Sequence, residues 1–300
     1  MISTKEKIDS LLFERAPWLN SNKVRIKIII PILAFILGYK KTLGTIDQIK
    51  VLPANTLMEK LAKVFIGKIK ITGHSNIQSN GSQIFVCNHP TGIADGLVIW
   101  STLSKKRPDI FFFANKDVTH LLPQMQNIIA PVEWKNNKRT LRSKKETLAY
   151  AKKAFEAKRS AVIFPSGRLA QRTGLKLKER PWFTSAVKLA SKYDIPLIPI
   201  NIKARNSFLF YLFDFIHYTL RDITLFNEVL NKKYFTFEVE IKEKVYPKDL
   251  PKDFDQATMF LYNLATVSES NPPTSLPDKR QLYNNGDHLQ RHMHPSNRLR

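Results

Sequence analysis

The sequence predicts an α/β fold, a single domain with a mixed, mostly parallel central sheet flanked by helices, with additional helices at its amino end. Short apolar runs typical of buried strands alternate with segments of helical periodicity along the chain. A hydrophobic fraction of 43% is enough for a large core. Two of the apolar runs lead into loops rich in Pro and Gly, at the position where open α/β sheets usually bind ligands.

The chain divides by composition into three predicted parts. Residues 1–67 form an amino-terminal helical segment that we expect to associate with a membrane, residues 68–270 an α/β domain, and residues 271–300 a polar tail that we expect to be disordered. Cys87 is the single cysteine, so no intrachain disulfide can form and a reducing location is expected. His288 and His292 are four residues apart, but they lie in the tail, so no metal site is expected.

The apolar run over residues 28–37 is interrupted only by Pro31 and has basic residues on both sides. It is too short to span a bilayer, which takes ~20 apolar residues in a helix. One interpretation is a buried helix that begins near Pro31. The other, which we favour, is a segment that lies in one leaflet of a membrane, because flanking lysines suit an anionic lipid surface and a core helix does not need them.

Strands are predicted where short runs of β-branched and apolar residues end at polar, Pro or Gly residues. Pro196 and Pro199 in one of these runs suggest either an edge strand or one that starts late. The alternation of apolar and polar residues over 235–241 indicates a half-exposed strand. The predicted strands are 68–72, 84–87, 110–114, 128–132, 161–164, 195–202 and 235–241.

Helices are predicted from capping signals and apolar periodicity. Thr56 with Glu59, and Ser143 with Glu146, have the spacing of capping boxes, and Pro181 has the features of a first helical residue. The predicted helices include a short one in the first twenty residues, then 57–67, 97–103, 143–158, one that begins at Pro181, 223–230 and 254–267.

The chain is strongly basic, with a formal net charge of +23 and a pI near 10.0. Such a charge predicts an anionic partner: nucleic acid, an anionic membrane surface or an acidic carrier protein. Nucleic acid is not expected, because most aromatic residues fall in apolar runs and are not interleaved with Arg and Lys on an exposed face.

His89 and Asp95 follow the strand over residues 84–87 and are separated by five residues. Each has an ordinary interpretation, His89 as a loop histidine and Asp95 as the N-cap of the next helix. Pro90 stiffens the turn between them, while Gly92 and Gly96 permit unusual torsions or a close approach to a ligand. An imidazole held by a carboxylate can take a proton from a hydroxyl, so the pair is a candidate general base for attack of a substrate hydroxyl on an acyl donor.

A second Pro/Gly loop, Phe164-Pro165-Ser166-Gly167-Arg168, follows the strand over residues 161–164, and Arg172 lies just beyond it. Arginine side chains and free backbone N–H groups at such a position can bind an anion. An ordinary turn with a solvated basic surface is an equally good interpretation of these residues alone.

The stretch Asn88-His89-Pro90-Thr91-Gly92 to Asp95-Gly96 resembles the catalytic block of the glycerolipid acyltransferase superfamily, and Phe164-Pro165-Ser166-Gly167 resembles its substrate-phosphate block. The five-residue gap, where most of the superfamily has four, is similar to the hemolysin-like, lyso-ornithine-lipid branch. The resemblance covers roughly residues 69–241. Ser166 stands where the superfamily usually has Glu. The hemolysin-like, lyso-ornithine-lipid branch is further indicated by Arg221, Glu228, Leu230, Asn231 and Lys232.

This resemblance implies a lysolipid O-acyltransferase in which His89 is the base and Asp95 orients it. The acyl donor would be a thioester of acyl carrier protein or coenzyme A, with no tightly bound cofactor and no metal. The acceptor would be lysophosphatidic acid or a lyso-aminolipid. The expected partner surface is an anionic membrane, at the cytoplasmic face of the inner membrane, with the protein peripheral or monotopic. The implied substrate-binding residues are Asn88, Gly92, Gly96, Phe164, Pro165, Ser166, Gly167, Arg168 and Arg172.

Two alternatives differ from this in class. One is a non-catalytic basic protein that binds membrane or nucleic acid through its charge. The other is a hydrolase that uses His89 to activate water. The sequence leaves open the acceptor headgroup, the acyl chain length, the donor carrier, the oligomeric state, and whether residues 28–37 insert in the bilayer or pack on the domain.

Overall fold

The central sheet of the computed structural model has the strand order β1-β9-β8-β2-β5-β3-β4 within the described residues, which are 3–21, 23–133, 139–173 and 176–266. All neighbouring pairs are parallel except β8 with β9. The short strands β6 and β7 form a separate antiparallel hairpin. The strands are β1 Ile69–Thr72, β2 Ile84–Cys87, β3 Phe111–Asn115, β4 Ile129–Val132, β5 Ala161–Ile163, β6 Gln171–Thr173, β7 Lys176–Lys178, β8 Leu197–Lys203 and β9 Phe237–Ile241.

Helices cover both faces of this sheet and precede it at the amino end, so the predicted α/β fold with a mixed, mostly parallel sheet is confirmed. The tail predicted over residues 271–300 lies outside the described residues. The helices are α1 Thr4–Arg15, α2 Val24–Ile36, α3 Tyr39–Ile49, α4 Ala54–Phe65, α5 Ile93–Leu103, α6 Asp117–Leu121, α7 Leu141–Glu156, α8 Ser185–Tyr193, α9 Phe208–Ile216, α10 Tyr218–Asn231 and α11 Phe254–Thr266.

Strand β2 lies in the middle of the sheet and is buried along its whole length. Because side chains alternate along a strand, Phe85 and Cys87 pack in the cluster that contains the apolar faces of α4 and α5, while Ile84 and Val86 pack in the cluster of α7, α8 and α11. Val86 is aligned with Ile163 of β5 on one side. The carboxyl ends of β2 and β5 therefore lie side by side, and the loops that follow them meet.

Three predicted helix starts were wrong. Helix α4 begins at Ala54, so Thr56 lies inside its first turn and does not cap it. Helix α7 is capped by Thr140, whose side chain accepts from the Ser143 backbone N–H, so the predicted cap Ser143 is three residues into the helix. Helix α8 begins at Ser185, four residues after Pro181. In α4 and α7, a capping signal just inside the helix was taken for its first residue.

Pro31 does not begin a helix either. Helix α2 starts at Val24 and contains Pro31 in its interior, where proline removes one helical hydrogen bond. Among the described helices, none combines the length and apolar content that a membrane span requires. Much of the α2 surface is apolar and exposed, as its most exposed side chain, Phe35 at 87%, illustrates.

Strand β8 is not an edge strand, although Pro196 precedes it and Pro199 lies within it. The strand starts late, at Leu197 after Pro196, as one of the two alternatives predicted, but it lies between β2 and β9. The Pro199 carbonyl accepts from the Lys242 N–H at 2.9 Å. Strand β9 ends at Ile241 and pairing resumes only at the Leu197–Val245 bridge, so the missing N–H of Pro199 lies beside an interruption in the ladder.

Candidate active site

The structure brings the side chains of His89 and Asp95 together at the carboxyl end of β2. Their Nδ1 and Oδ2 atoms are 2.9 Å apart. Asp95 is buried, whereas the His89 side chain remains 19% exposed. Since the carboxylate accepts the Nδ1–H, the other ring nitrogen, Nε2, is left to accept a proton from a bound molecule.

Asp95 is held by more than the histidine. Its Oδ2 accepts from the backbone N–H groups of Thr91 and Gly92 at 2.8 and 2.9 Å, and its Oδ1 accepts from the Thr91 hydroxyl. The expectation that Asp95 is the N-cap of α5 was wrong, because Gly92 occupies that position and Asp95 lies in the first turn. A carboxylate there is stabilised by the helix dipole and cannot turn away from the imidazole without losing these bonds.

Gly92 is required by the backbone geometry. Its φ is +85°, and a Cβ at this position would lie 2.7 Å from the Leu169 Cδ2 atom. Leu169 belongs to the loop that follows β5, so the two predicted loops are packed together here. Gly96, in contrast, has open space around its Cα.

We expect Gly92→Ala to lower the free energy of unfolding by about 1–3 kcal/mol, the usual cost of a strained backbone, and to lower the rate by displacing the N–H that holds Asp95. Urea denaturation and steady-state kinetics measure the two effects. Gly96→Ala is the matched stability control, since alanine favours a helix by ~1 kcal/mol over glycine. Equal stability of the two variants would contradict the account of Gly92.

Phe164 packs against the catalytic candidate. Its ring stacks on the His89 imidazole with the centroids 4.3 Å apart and the planes at 29°. Asn88 lies on the other side of the loop, where its side chain donates to the Ile202 carbonyl at 3.0 Å and accepts from the Ile202 N–H at 2.6 Å. Both ends of the Asn88 amide are thus used to fasten the His89 loop to β8.

Glu179 is a site residue that sequence reasoning missed. Its carboxylate accepts from the His89 backbone N–H at 2.9 Å and from the Trp182 indole N–H at 3.2 Å, and it contacts the Ser166 hydroxyl. Burial raises the pKa of the Glu179 carboxyl. The one available signal was a single acidic residue in the basic stretch Lys176–Arg180.

We expect Glu179→Gln to lower the rate by about 10- to 100-fold, the equivalent of one hydrogen bond of ~1.5–3 kcal/mol to a charged group. Each oxygen of Glu179 accepts from an N–H group, one of His89 and the other of Trp182, so the N–H₂ of a Gln side chain would face one of these donors. Because burial raises the pKa of Glu179, this carboxyl takes up a proton at a higher pH than an ordinary glutamate, and we expect its protonation to add to the loss of activity on acidification that protonation of the base itself causes. The variant cannot titrate there. Wild-type kcat in Glu179→Gln across the pH range would contradict this role.

The second predicted loop leads into a cluster of arginines. Arg172 pairs with Asp214 at 3.4 Å, and Arg221 pairs with the same carboxylate at 3.0 Å. The Arg180 Nε donates to the Leu169 carbonyl at 2.9 Å, and burial together with the charges of Arg168 and Arg221 lowers the pKa of Arg180. Arg180 and Asp214 were not singled out from the sequence.

The remaining predicted residues of this loop have simpler surroundings. Arg168 is exposed, and its carbonyl accepts from the buried Ser166 hydroxyl at 2.9 Å. Pro165 is buried and its carbonyl accepts from the Phe183 N–H. Gly167 has a φ of +61°, which completes the turn. Within the described residues, no three His, Cys, Asp or Glu side chains are grouped as a metal site requires.

A buried ion pair is connected to the His89 loop through Asn206. The Lys232 Nζ lies 2.6 Å from the Glu228 Oε2, and both side chains are fully buried. Lys232 also donates to the Asn206 Oδ1 at 2.8 Å, and Asn206 in turn reaches the Pro90 carbonyl at 3.5 Å. Burial lowers the pKa of Lys232, and the Glu228 charge opposes that shift.

Comparison with known proteins gives consistent matches. The model of the family described as Acyltransferase matches residues 68–203. A lyso-glycine lipid O-acyltransferase of Phocaeicola vulgatus is 21% identical over 224 residues, which cover 70% of this chain and 78% of the relative. A protein of the same name from Bacteroides thetaiotaomicron is 22% identical over 59% of this chain and 66% of its own length.

Among solved structures, this chain is similar to the 1-acyl-sn-glycerophosphate (LPA) acyltransferase PlsC from Thermotoga maritima, with 14% identity and a TM-score of 0.49 over 87% of this chain and 97% of the other. The matched acyltransferase model spans both loops of the site and all the strands from β1 to β8. Both curated relatives are O-acyltransferases by name. The chain is an acyltransferase, and these matches support its resemblance to the glycerolipid acyltransferase superfamily.

Proposed function

We propose that this enzyme transfers a fatty acyl group from a thioester to the hydroxyl of a lysolipid, with His89 as the general base. The observation that supports this most strongly is the buried Asp95 carboxylate, fixed by two backbone N–H groups and bound to the His89 Nδ1. That arrangement fixes the tautomer of the imidazole and leaves Nε2 directed at a substrate hydroxyl.

In the proposed reaction, the lysolipid oxygen attacks the thioester carbonyl carbon while its proton passes to the His89 Nε2. The tetrahedral intermediate then collapses, the carbon–sulfur bond breaks, and the imidazolium returns the proton to the leaving sulfur. The products are a diacyl lipid and a free thiol. No acyl-enzyme is needed in this sequence, and no metal or tightly bound cofactor takes part in it.

Cys87 lies close to the site in sequence but is a poor nucleophile. It is fully buried in the last position of β2, and burial, with Asp95 and Glu179 nearby, raises the pKa of its thiol. A buried neutral thiol reacts slowly because the thiolate is the reactive form. These properties favour direct attack by the acceptor hydroxyl over a covalent Cys87 intermediate.

We propose an acceptor lysolipid with an anionic headgroup. Arg168, Arg172, Arg180 and Arg221 surround the loop beside His89, and guanidinium groups bind carboxylates and phosphates in a two-pronged manner. The two curated relatives act by name on a lyso-glycine lipid. A lyso-aminolipid that carries a carboxylate, such as a lyso-glycine lipid, is therefore our first candidate, and lysophosphatidic acid is the second.

The charge and the amino-terminal segment agree with work at a membrane surface. The net charge of +23 suits anionic lipids, and it suits acyl carrier protein or acyl-CoA as an acidic donor. The apolar, exposed helix α2 would lie in one leaflet. We accordingly propose a peripheral or monotopic enzyme at the cytoplasmic face of the inner membrane.

An acceptor panel tests the substrate. Purified enzyme is given one acyl thioester and, in separate reactions, lyso-glycine lipid, lyso-ornithine lipid, lysophosphatidic acid and a lysolipid with a neutral headgroup. The proposal expects a diacyl product from the acceptors whose headgroup carries a carboxylate or a phosphate, with the highest kcat/KM for lyso-glycine lipid. A preference for the neutral headgroup would contradict the role of the arginines.

A further inference from the structure

Helix α9 carries a row of exposed apolar side chains that the acyl-transfer mechanism does not use. Phe208 is 81% exposed and Phe215 is 77% exposed, and Leu212 and Ile216 are exposed beside them. Their spacing places all four on one face of the helix. The opposite face is packed, with Phe210 and Phe213 buried. The four exposed side chains are therefore not part of the hydrophobic core.

Helix α9 lies next to helix α2. Phe213 of α9 shares a buried cluster with Leu33 and Leu37 from the α2 segment, and a groove of about 410 Å³ between the helices is lined by Ile29, Leu33 and Phe213. Helix α2 also has exposed apolar side chains, which include Val24, Ile28, Ile32 and Phe35. We call the combined surface the α2–α9 face. Exposed large apolar side chains in this number on two adjacent helices mark an interaction site.

Charge decides which occupant fits the α2–α9 face. Lys23, Arg25 and Lys27 lie at the start of α2, and Lys40 and Lys41 follow its end. Two copies of the chain that paired through this face would bring these cations together. Anionic phospholipid headgroups would neutralise them while the acyl region takes up the apolar side chains.

We propose that α9 is a second membrane-inserting helix, and that the α2–α9 face as a whole docks on an anionic bilayer. Asp214 lies on the polar side of α9 and binds both Arg172 and Arg221. The Arg172 guanidinium also lies over the Phe215 ring, 6.0 Å from its centroid. Insertion of α9 would place these two arginines at the depth of lipid headgroups.

This assignment has a consequence that rests on the proposed function. A lysolipid could bind Arg172 and Arg221 with its headgroup while its acyl chain stays in the bilayer. The acceptor would then reach His89 without being extracted into water. The enzyme would be selective for acceptors embedded in a membrane.

Site-directed spin labelling tests the docking. Cys87 is buried with a raised thiol pKa, so a cysteine introduced at the surface is labelled selectively. Phe208→Cys and Phe215→Cys report on α9. Phe254→Cys is the matched control, because α11 packs on the other face of the sheet, with Ala257 and Leu261 in the cluster there.

With vesicles of phosphatidylglycerol and phosphatidylethanolamine, we expect the labels at 208 and 215 to become accessible to oxygen and protected from a water-soluble nickel complex, while the label at 254 stays exposed to nickel. Labels at 208 and 215 that remain nickel-accessible on bound protein would overturn the proposal. Protection of the labels at 208 and 215 from nickel in the absence of vesicles, together with the mass of a dimer, would also overturn the proposal. It would indicate that a second copy of the chain covers this face.

A kinetic comparison separates this proposal from the proposed function. The variant F208S/I216S should lower the ratio of the rate with vesicle-embedded acceptor to the rate with a short-chain monomeric acceptor by about tenfold or more, since each residue loses its apolar burial in lipid. The control F254S/F260S should keep the wild-type ratio. An unchanged ratio in F208S/I216S overturns the role of α9. Inactivity of the wild type with both acceptors would instead contradict the acyl transfer and leave the labelling result standing.

Discussion

Replacing His89 by alanine is expected to lower kcat for acyl transfer by ~10²–10⁴-fold, the range that a positioned general base contributes. The stability of the fold should change little, because the ring is partly exposed and the backbone N–H that binds Glu179 remains. The rate is measured as thiol release with saturating thioester and lysolipid, and the stability by urea denaturation.

His74→Ala is the matched control for this prediction. His74 is an exposed histidine in a surface turn before β2, and its removal should leave kcat at the wild-type value. Asp95→Asn should approach the loss seen in His89→Ala, because a neutral amide no longer stabilises the imidazolium that forms when His89 takes the proton. Full activity of either site variant would mean that another group is the base.

The second large effect is expected in the buried ion pair. Lys232→Met should lower the free energy of unfolding by about 3–5 kcal/mol, because it leaves the Glu228 carboxylate buried without its counter-charge. Activity should fall as well, since Lys232 holds Asn206, which contacts the Pro90 carbonyl in the His89 loop. Urea denaturation and kcat report the two losses.

A double-mutant cycle isolates the pair. In K232M/E228Q the buried carboxylate is gone, and the Gln oxygen can still accept from the Ser207 N–H that Glu228 binds at 2.9 Å. We expect the double variant to recover part of the stability, with a coupling of about 0.5–3 kcal/mol. Lys152→Met breaks an exposed pair of the same helical spacing and should cost less than ~0.5 kcal/mol. Strictly additive losses in K232M and E228Q would contradict a coupled pair.

Much of the site could be predicted because it is local in sequence. His89, Gly92 and Asp95 lie within one loop and one helical turn, so composition and spacing were sufficient to predict that they lie together. The two loops could be expected to meet because both follow parallel strands. Glu228 and Lys232 were noted only as part of the resemblance; they are four residues apart, and the structure shows that they form an ion pair.

Contacts between distant segments could not be predicted in this way. Glu179 accepts a hydrogen bond from the N–H of His89, which lies 90 positions earlier in the sequence. Asp214 forms ion pairs with two arginines from different segments. Nothing in the local pattern identifies such partners. The errors in the fold have a similar origin: Pro31 lies inside α2 and Pro199 lies in a central strand, where an interruption in the β9 pairing offsets its missing donor. For Pro199, the pairing with neighbouring strands determined the position.

The central claim is that a substrate hydroxyl, activated by His89, receives the acyl group directly. The sharpest measurement compares thiol release from an acyl thioester in the presence of a lysolipid and of its analogue in which the accepting hydroxyl is replaced by hydrogen. The account predicts release in step with diacyl lipid for the hydroxyl acceptor and only background release for the deoxy analogue. Equal release with both, accompanied by free fatty acid, would show that water is the acceptor and would contradict the account.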